Sequence, residues 1–255
     1  IPYTQGLVDS PEFPEFTLCP SSPTGSGTVH WLINAELAYR VAHPEAKETD
    51  KSTAYLSILT ERVESVRDHM AAIRKTAVTM TERVLAGGRW FARSIEHPGF
   101  ETEFNVASGP RIVNWGDWDT KNKKNIMLIS AISPAYPDEL KLAREKQSEG
   151  AYVIGIGPCK LDGVEPDTSL ISIANAGFDN LSPESGGVIE IPERSQSICP
   201  TSGIVGNVIQ QMINAQWAEE MIRQETVPYF LRGIYQNGGR EYNAATASAF
   251  ERRGY

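Results

Sequence analysis

NIMLISAISPAYPDELKLAREKQSEGAYVIGIGP, residues 125–158, holds two apolar runs separated by one helical pattern. The first run, Ile126 to Ile129, lies between polar Asn125 and Ser130; the second, Tyr152 to Ile156, starts just after Gly150. Neither run alternates polar with apolar, which marks a strand covered on both faces. Between them, after two prolines, Asp138 and Glu139 open a segment with Leu140, Leu142 and Ala143 at helical spacing, and Gly150 stops it. Strand, helix and strand at this length make a βαβ unit, and its two strands run parallel. Ligands of parallel sheets sit at the carboxyl ends of the strands. Those ends carry Ser130, Ser133, Pro158 and Cys159.

Working outward, Gly87-Gly88 closes a helix and Arg89 to Ala92 reads as a first strand. Arg111 to Asn114 reads as a short second strand. Downstream, Ser169 to Ala174 (SLISIA) and Gly187 to Ile191 (GVIEI) read as strands. Gly203 to Arg223 reads as a helix with Ile204, Val208, Ile209, Met212, Ile213 and Trp217 turned inward. The tail after Pro228 is aromatic, then polar and glycine-rich, and no element is assigned to it. The fold class is α/β, a parallel sheet with helices on both faces in a three-layer αβα sandwich.

The N-terminal side divides near residue 52, with an arm and a short helix over 1–52 and the main domain over 53–255. Residues 1–29 hold five prolines and no periodic pattern, and read as an extended arm lying on the body or on a partner subunit. TGSGT at 24–28 reads as a flexible turn. His30 to His43 reads as a helix with Leu32, Ala35, Leu37, Ala38 and Val41 on one face. A long helix over about 53–85 carries Leu59, Val63, Val66, Met70, Ile73, Ala77, Met80 and Val84 in alternating steps of four and three. That is a seven-residue seam made to lie along another helix. Its partner is the preceding helix or the same helix of a second subunit, and the expected assembly is a homodimer or higher homo-oligomer.

The chain has 255 residues, 40% of them hydrophobic, enough for a full α/β core. A net charge of −8 argues against nucleic acid or an anionic membrane as partner. No apolar run approaches the roughly 20 residues of a membrane-spanning helix. The start at Ile1 leaves two compartments open: cytoplasmic, or exported after signal cleavage. Cys19, Cys159 and Cys199 form no CxxC pair; inert thiols are the expectation, a Cys159–Cys199 disulfide the alternative.

The order of long helix, GG, strands, βαβ unit and a last helix opened by Pro200-Thr201-Ser202-Gly203 resembles the SIS (sugar isomerase) phosphosugar-binding domain family. The tail Gly238-Gly239-Arg240-Glu241-Tyr242-Asn243 adds to the likeness, which is to the stand-alone bacterial members and spans roughly 54–253. The resemblance implies a flavodoxin-like topology, a small-molecule sugar phosphate as partner, and no cofactor. Two loops depart from the family pattern. Residues 93–99 (RSIEHPG) carry a single glycine, and 130–137 (SAISPAYP) carry none. Pro134 and Pro137 also lack the N–H that would hold a phosphate.

Five residues are candidates for holding such a ligand. Thr201, Ser202 and Gly203 stand at a helix N-terminus, where amides and dipole favour an anion, although Ser and Thr are also ordinary N-caps. Ser130 and Ser133 close a strand facing the same crevice, or bond their own turn. For catalysis, His97 and Glu103, with Glu101, form the one His–carboxylate cluster in the loop after the first strand. Aldose–ketose isomerisation needs a base that moves a proton between adjacent carbons, which His or Glu can do; solvated loop residues are the plain alternative. The four histidines are scattered, so no metal site is expected. The functional reading is a binder of a sugar phosphate or related anionic sugar, with phosphosugar isomerisation as its candidate activity. A non-catalytic regulatory module, or a structural oligomer-forming protein, is the alternative on the same fold.

Overall fold

The computed structural model describes residues 6–47, 49–95, 109–113, 115–159, 168–183, 186–192 and 194–255. Four strands, β1 (Trp90–Arg93), β2 (Ile126–Ser130), β3 (Tyr152–Gly157) and β4 (Ala176–Asp179), form one parallel sheet in that order. Ile126 pairs with Tyr152 and Ser130 with Ile156, so the βαβ unit is parallel as expected. Successive side chains of a strand point to opposite faces, and every residue of β2 is buried. Ile126 and Leu128 join Ile154 and Ile156 in one core; Met127 and Ile129 join Val153 in another. Helices α3 (Met70–Leu85) and α6 (Ser202–Arg223) cover the first face, and α4 (Pro137–Ser148) and α5 (Leu170–Ile173) the second. The result is the three-layer αβα sandwich.

The segment 169–174 corrects a strand assignment. It forms the single turn α5, closed by Ile173 N–H to Ser169 O at 3.0 Å and Ala174 N–H to Leu170 O at 3.0 Å. The cause lies in the sheet beneath it. Gly155 and Gly177 are paired in register, and a β-carbon at Gly155 would meet Leu170 Cγ at 3.1 Å. Two bare positions side by side let a helical turn lie directly on the strands and bury Leu170, which outweighs the strand preference of Ile171 and Ile173.

The expected second strand at 111–114 is not formed over 109–113. Val113 N–H reaches Trp90 O at 3.1 Å, on the edge of β1 away from β2, whose Ile126 N–H takes Arg89 O. Pro110 instead bridges antiparallel to Phe230, with Arg111 N–H on Tyr229 O at 2.8 Å. In a flavodoxin-like sheet a strand lies outside the first one; here 109–113 holds that place with one bond to β1. The expected strand at 187–191 is likewise reduced to one bridge, Ile189 to Ile198.

The N-terminal elements differ from expectation in three ways. Helix α1 covers Ser22–Ala42, so TGSGT lies inside it, with Thr28 Oγ1 bonded to Thr24 O at 2.7 Å. Pro23 in its first turn suits a helix start. Second, the long helix is two, α2 (Lys51–Ser65) and α3, joined by a 3-10 turn at Val66–His69. Third, its seam is covered inside the chain. Leu59, Val66, Ile73, Ala77, Met80 and Val84 are buried in the core that α6 shares, so no second subunit is needed to cover them. Burial of each larger side chain there contributes roughly 1.5–3 kcal/mol.

The arm lies on the body. Phe13 packs edge-on against Phe230 at 5.4 Å and Phe16 against Tyr242 at 5.4 Å, and Arg232 Nη1 meets Glu15 Oε2 at 2.7 Å. The tail forms a further helix, α7 (Gly239–Arg253), entered through Gly238 at φ 73. Asn243 clamps the strand-like approach to α7: its Oδ1 accepts Arg232 N–H at 2.9 Å and its Nδ2 donates to Arg232 O at 2.7 Å. Arg89, just before β1, donates through Nη2 to Glu251 O at 2.9 Å and so caps the carbonyl end of α7.

Candidate functional site

The carboxyl ends of the four strands are stitched to one another. Ser94 Oγ donates to Ser130 O at 2.7 Å, and Ala131 N–H to Ile156 O at 2.8 Å. Asn180 N–H donates to Gly157 O at 3.0 Å, and its Nδ2 to Ala131 O at 3.5 Å. This edge is therefore a fixed platform, and α6 begins beside it.

Thr201 and Ser202 are buried at the start of α6 and Gly203 is exposed. Thr201 precedes the helix but its side chain does not cap it. Its Oγ1 instead accepts Arg62 Nη1 at 2.5 Å, while Tyr55 Oη donates to Pro200 O at 3.0 Å. Burial lowers the Arg62 pKa, against the opposing pull of Glu61, Tyr55 and Asp179; a guanidinium nonetheless stays charged in proteins. A fixed cation thus stands at the positive end of a helix dipole.

Ser130 is buried and meets α6 one turn further in, at Gly206. A β-carbon there would lie 3.6 Å from Ile156 Cγ2 and 3.8 Å from Ser130 Oγ, an ordinary contact distance. Ser133 is half-buried in the β2–α4 turn, where its Oγ accepts Ala135 N–H at 3.5 Å. Ser130 and the α6 N-terminus are brought together; Ser133 keeps to its turn. His97 and Glu103, with Glu101, lie outside the described residues.

Three residues at this edge escaped the sequence reading. Arg62 belongs to the polar face of its helix, and His69 is singled out by no motif. Their spacing of seven does put them on one side of a helix, which was the available signal. His69 Nε2 lies 3.0 Å from Asp179 O and its ring packs edge-on against Phe178 at 5.7 Å. A carbonyl only accepts, so Nε2 carries the hydrogen and Nδ1 of the neutral ring is the acceptor. Asp179, at the end of β4, had no signal because that strand was misplaced. Buried Glu139 was missed as well: Oε1 accepts Ile95 N–H at 3.1 Å and so ties the start of the loop after β1 to α4.

None of the three cysteines is in a disulfide, and Cys19 and Cys199 are buried. Burial raises Cys19 to about 12 and Cys199 to about 11. Among the described residues, no group of three His, Cys, Asp or Glu side chains could hold a metal ion, and no helix is long and apolar enough to cross a membrane. Two hollows lie away from the strand ends. One of about 430 Å³ lies between the arm, Met70 and α6, and one of about 600 Å³ lies on α4.

Fold and edge together define a three-layer αβα protein whose parallel sheet ends in a polar, cation-bearing platform. No family model matches the chain. It is 26% identical over 135 residues to UPF0309 protein lin2794 of Listeria innocua, a match covering 51% of this chain and 54% of the relative. The chain thus spans about half the length of the curated relative it matches. Among solved structures it is similar to a "putative phosphosugar isomerase" from Silicibacter pomeroyi DSS-3, with a TM-score of 0.45 and 17% identity over 65% of this chain and 49% of that one. A hypothetical protein superposes with a TM-score of 0.40 and 12% identity, over 68% of this chain and 89% of its own.

Proposed function

We propose that the carboxyl edge of the sheet binds an anionic sugar of the sugar-phosphate class, held by the first turn of α6 and by Arg62. The observation that carries this reading is Arg62 on Thr201 Oγ1, which sets a fixed positive charge at the opening of α6 beside the strand ends. The Thr201 hydroxyl is engaged by Arg62 and does not cap the helix, and the N-terminal end of a helix favours an anion. Ser202 and Gly203 lie in that first turn, Ser130 stands one turn further in at Gly206, and Ser133 would join them by turning away from Ala135 N–H. The likeness of the PTSG segment and the tail to SIS domains supports the same ligand class. Isomerisation of such a sugar needs a base to take the proton beside the carbonyl and return it to the neighbouring carbon. His97 and Glu103 have the chemistry for that transfer.

Calorimetry with inorganic phosphate and a panel of hexose, heptose and amino-sugar phosphates tests the reading. Charge-assisted hydrogen bonds contribute roughly 1.5–3 kcal/mol each. Arg62→Gln, and Thr201→Ala combined with Ser202→Ala, should therefore each weaken binding by about tenfold or more. His97→Ala and Glu103→Gln should spare binding and abolish turnover. A wild-type chain that binds none of the panel below millimolar concentration sinks the proposal.

A further inference from the structure

The hollow of about 430 Å³ between the arm, Met70 and α6 is a second concave surface, separate from the strand ends. It meets α6 at residues 212–222, more than two turns past the helix start at Ser202. Its arm wall is fixed in place. Val8 and Leu18 form an antiparallel bridge, Leu18 N–H donating to Val8 O at 2.9 Å and Val8 N–H to Leu18 O at 3.1 Å. Cys19 Sγ donates to Gln211 O at 3.3 Å and ties this hairpin to α6. The two walls are therefore held at a set distance, and the space between them is preformed. Its volume falls in the range of small-molecule sites, roughly 300–1,000 Å³. Leu18, Met70, Met212 and Ile222 line it with apolar surface, and methionine thioethers pack favourably against aromatic rings.

The charged groups of the lining are all of one sign. They are Asp9, Glu12 and Glu219, and no Lys, Arg or His joins them. Glu219 is already engaged, by Arg223 Nη2 on Oε1 at 2.5 Å and by Gln216 Nε2 on Oε2 at 2.6 Å. Asp9 and Glu12 are not neutralised. Among the described residues Glu12 meets only a hydroxyl, Ser10 Oγ at 2.5 Å, and Asp9 has no polar partner. Both are exposed although they line the hollow, which places them at its mouth. We infer that the hollow binds a small organic cation, an amine with an aromatic body, its ring against Met70 and Met212 and its ammonium toward Asp9 and Glu12. The net charge of −8 draws such a ligand in. An anion, the class proposed for the strand ends, is repelled here. The two sites thus take ligands of opposite charge.

Calorimetry of the full chain with tryptamine, tryptophol and indole-3-propionate tests this inference, because the three carry one ring system as cation, neutral molecule and anion. At low salt tryptamine should bind best, tryptophol roughly three- to tenfold more weakly, and indole-3-propionate not measurably. The preference for tryptamine should vanish in about 1 M salt, which screens exposed charges. Asp9→Asn with Glu12→Gln should bring tryptamine down to the level of tryptophol. Ala215→Trp should fill the hollow and abolish binding of both, and Ala215→Met, which should weaken both, serves if the larger residue disturbs folding. Inorganic phosphate should not displace tryptamine. A wild type that binds no probe below about 10 mM, or binds tryptophol as tightly as tryptamine at low salt, overturns the inference. So do folded Ala215 variants that bind like the wild type, and displacement of tryptamine by phosphate.

Discussion

A side chain at residue 177 would have no room: its β-carbon would fall 1.9 Å from Ile171 O. Gly177→Ala must push α5 off the sheet, and overpacking of this kind costs about 1–3 kcal/mol or more. Chemical denaturation should show that loss. Gly206 is the contrasting case, because the space above it is in ordinary contact range. Gly206→Ala should stabilise α6 by about 0.5–1 kcal/mol through its helix preference, while narrowing the approach to Ser130. If the sugar rests there, the same change weakens its binding although the protein melts later. The thiols give a separate test. A neutral buried thiol stabilises the folded chain until the unfolded chain begins to ionise. Cys19 and Cys199 lie above their ordinary value of 9.0, at about 12 and about 11. Their contribution is therefore whole below about pH 9 and drains away as the pH climbs toward 11 and 12. Melting curves from pH 8 to 11 should fall accordingly, less steeply in Cys19→Ala. At pH 8 a thiol reagent should react quickly with half-exposed Cys159 alone and reach all three only after unfolding.

At the level of elements, the seam on α2 and α3 belongs to the monomer. Ile73→Ala or Met80→Ala removes a fully buried side chain and should cost about 2–5 kcal/mol in denaturant melts. The parts that could be read from sequence were those with long, one-sided patterns and clear stops. The βαβ unit around residues 126–157 and the α6 segment both qualified. The single turn α5 could not be read, because its cause is two glycines on other strands. Helix α7 was hidden for a related reason: only Gly239 and Phe250 are buried in it, so it carries no apolar period, and Gly238-Gly239 reads as a stop although it is the entry. The site was half legible. PTSG announced a helix N-terminus, but the cation that sits on it comes from residue 62, and Asp179 from a strand placed seven residues too early.

Across the whole molecule the sheet is laid down in the order in which the chain is written, β1 to β4, each strand beside the one before it. Parallel sheets need long crossovers, which slows their folding, but here no strand waits for a later one to be inserted between it and its neighbour. The exception is the layer formed by α3 and α6: α3 ends at Leu85, before the first strand, and α6 begins at Ser202, after the last. Pulse-labelled hydrogen exchange during refolding should find the amides of β2 and β3 protected before those of α6. Simultaneous protection would show that the layers form together. As the chain leaves a ribosome, β1 to β4 emerge in pairing order while Ile126, Leu128, Ile154 and Ile156 still lack α6 as a cover. For about 50 residues of synthesis, a few seconds at usual rates, the nascent sheet carries an apolar face that α3 alone can cover. That interval is when a chaperone has something to hold.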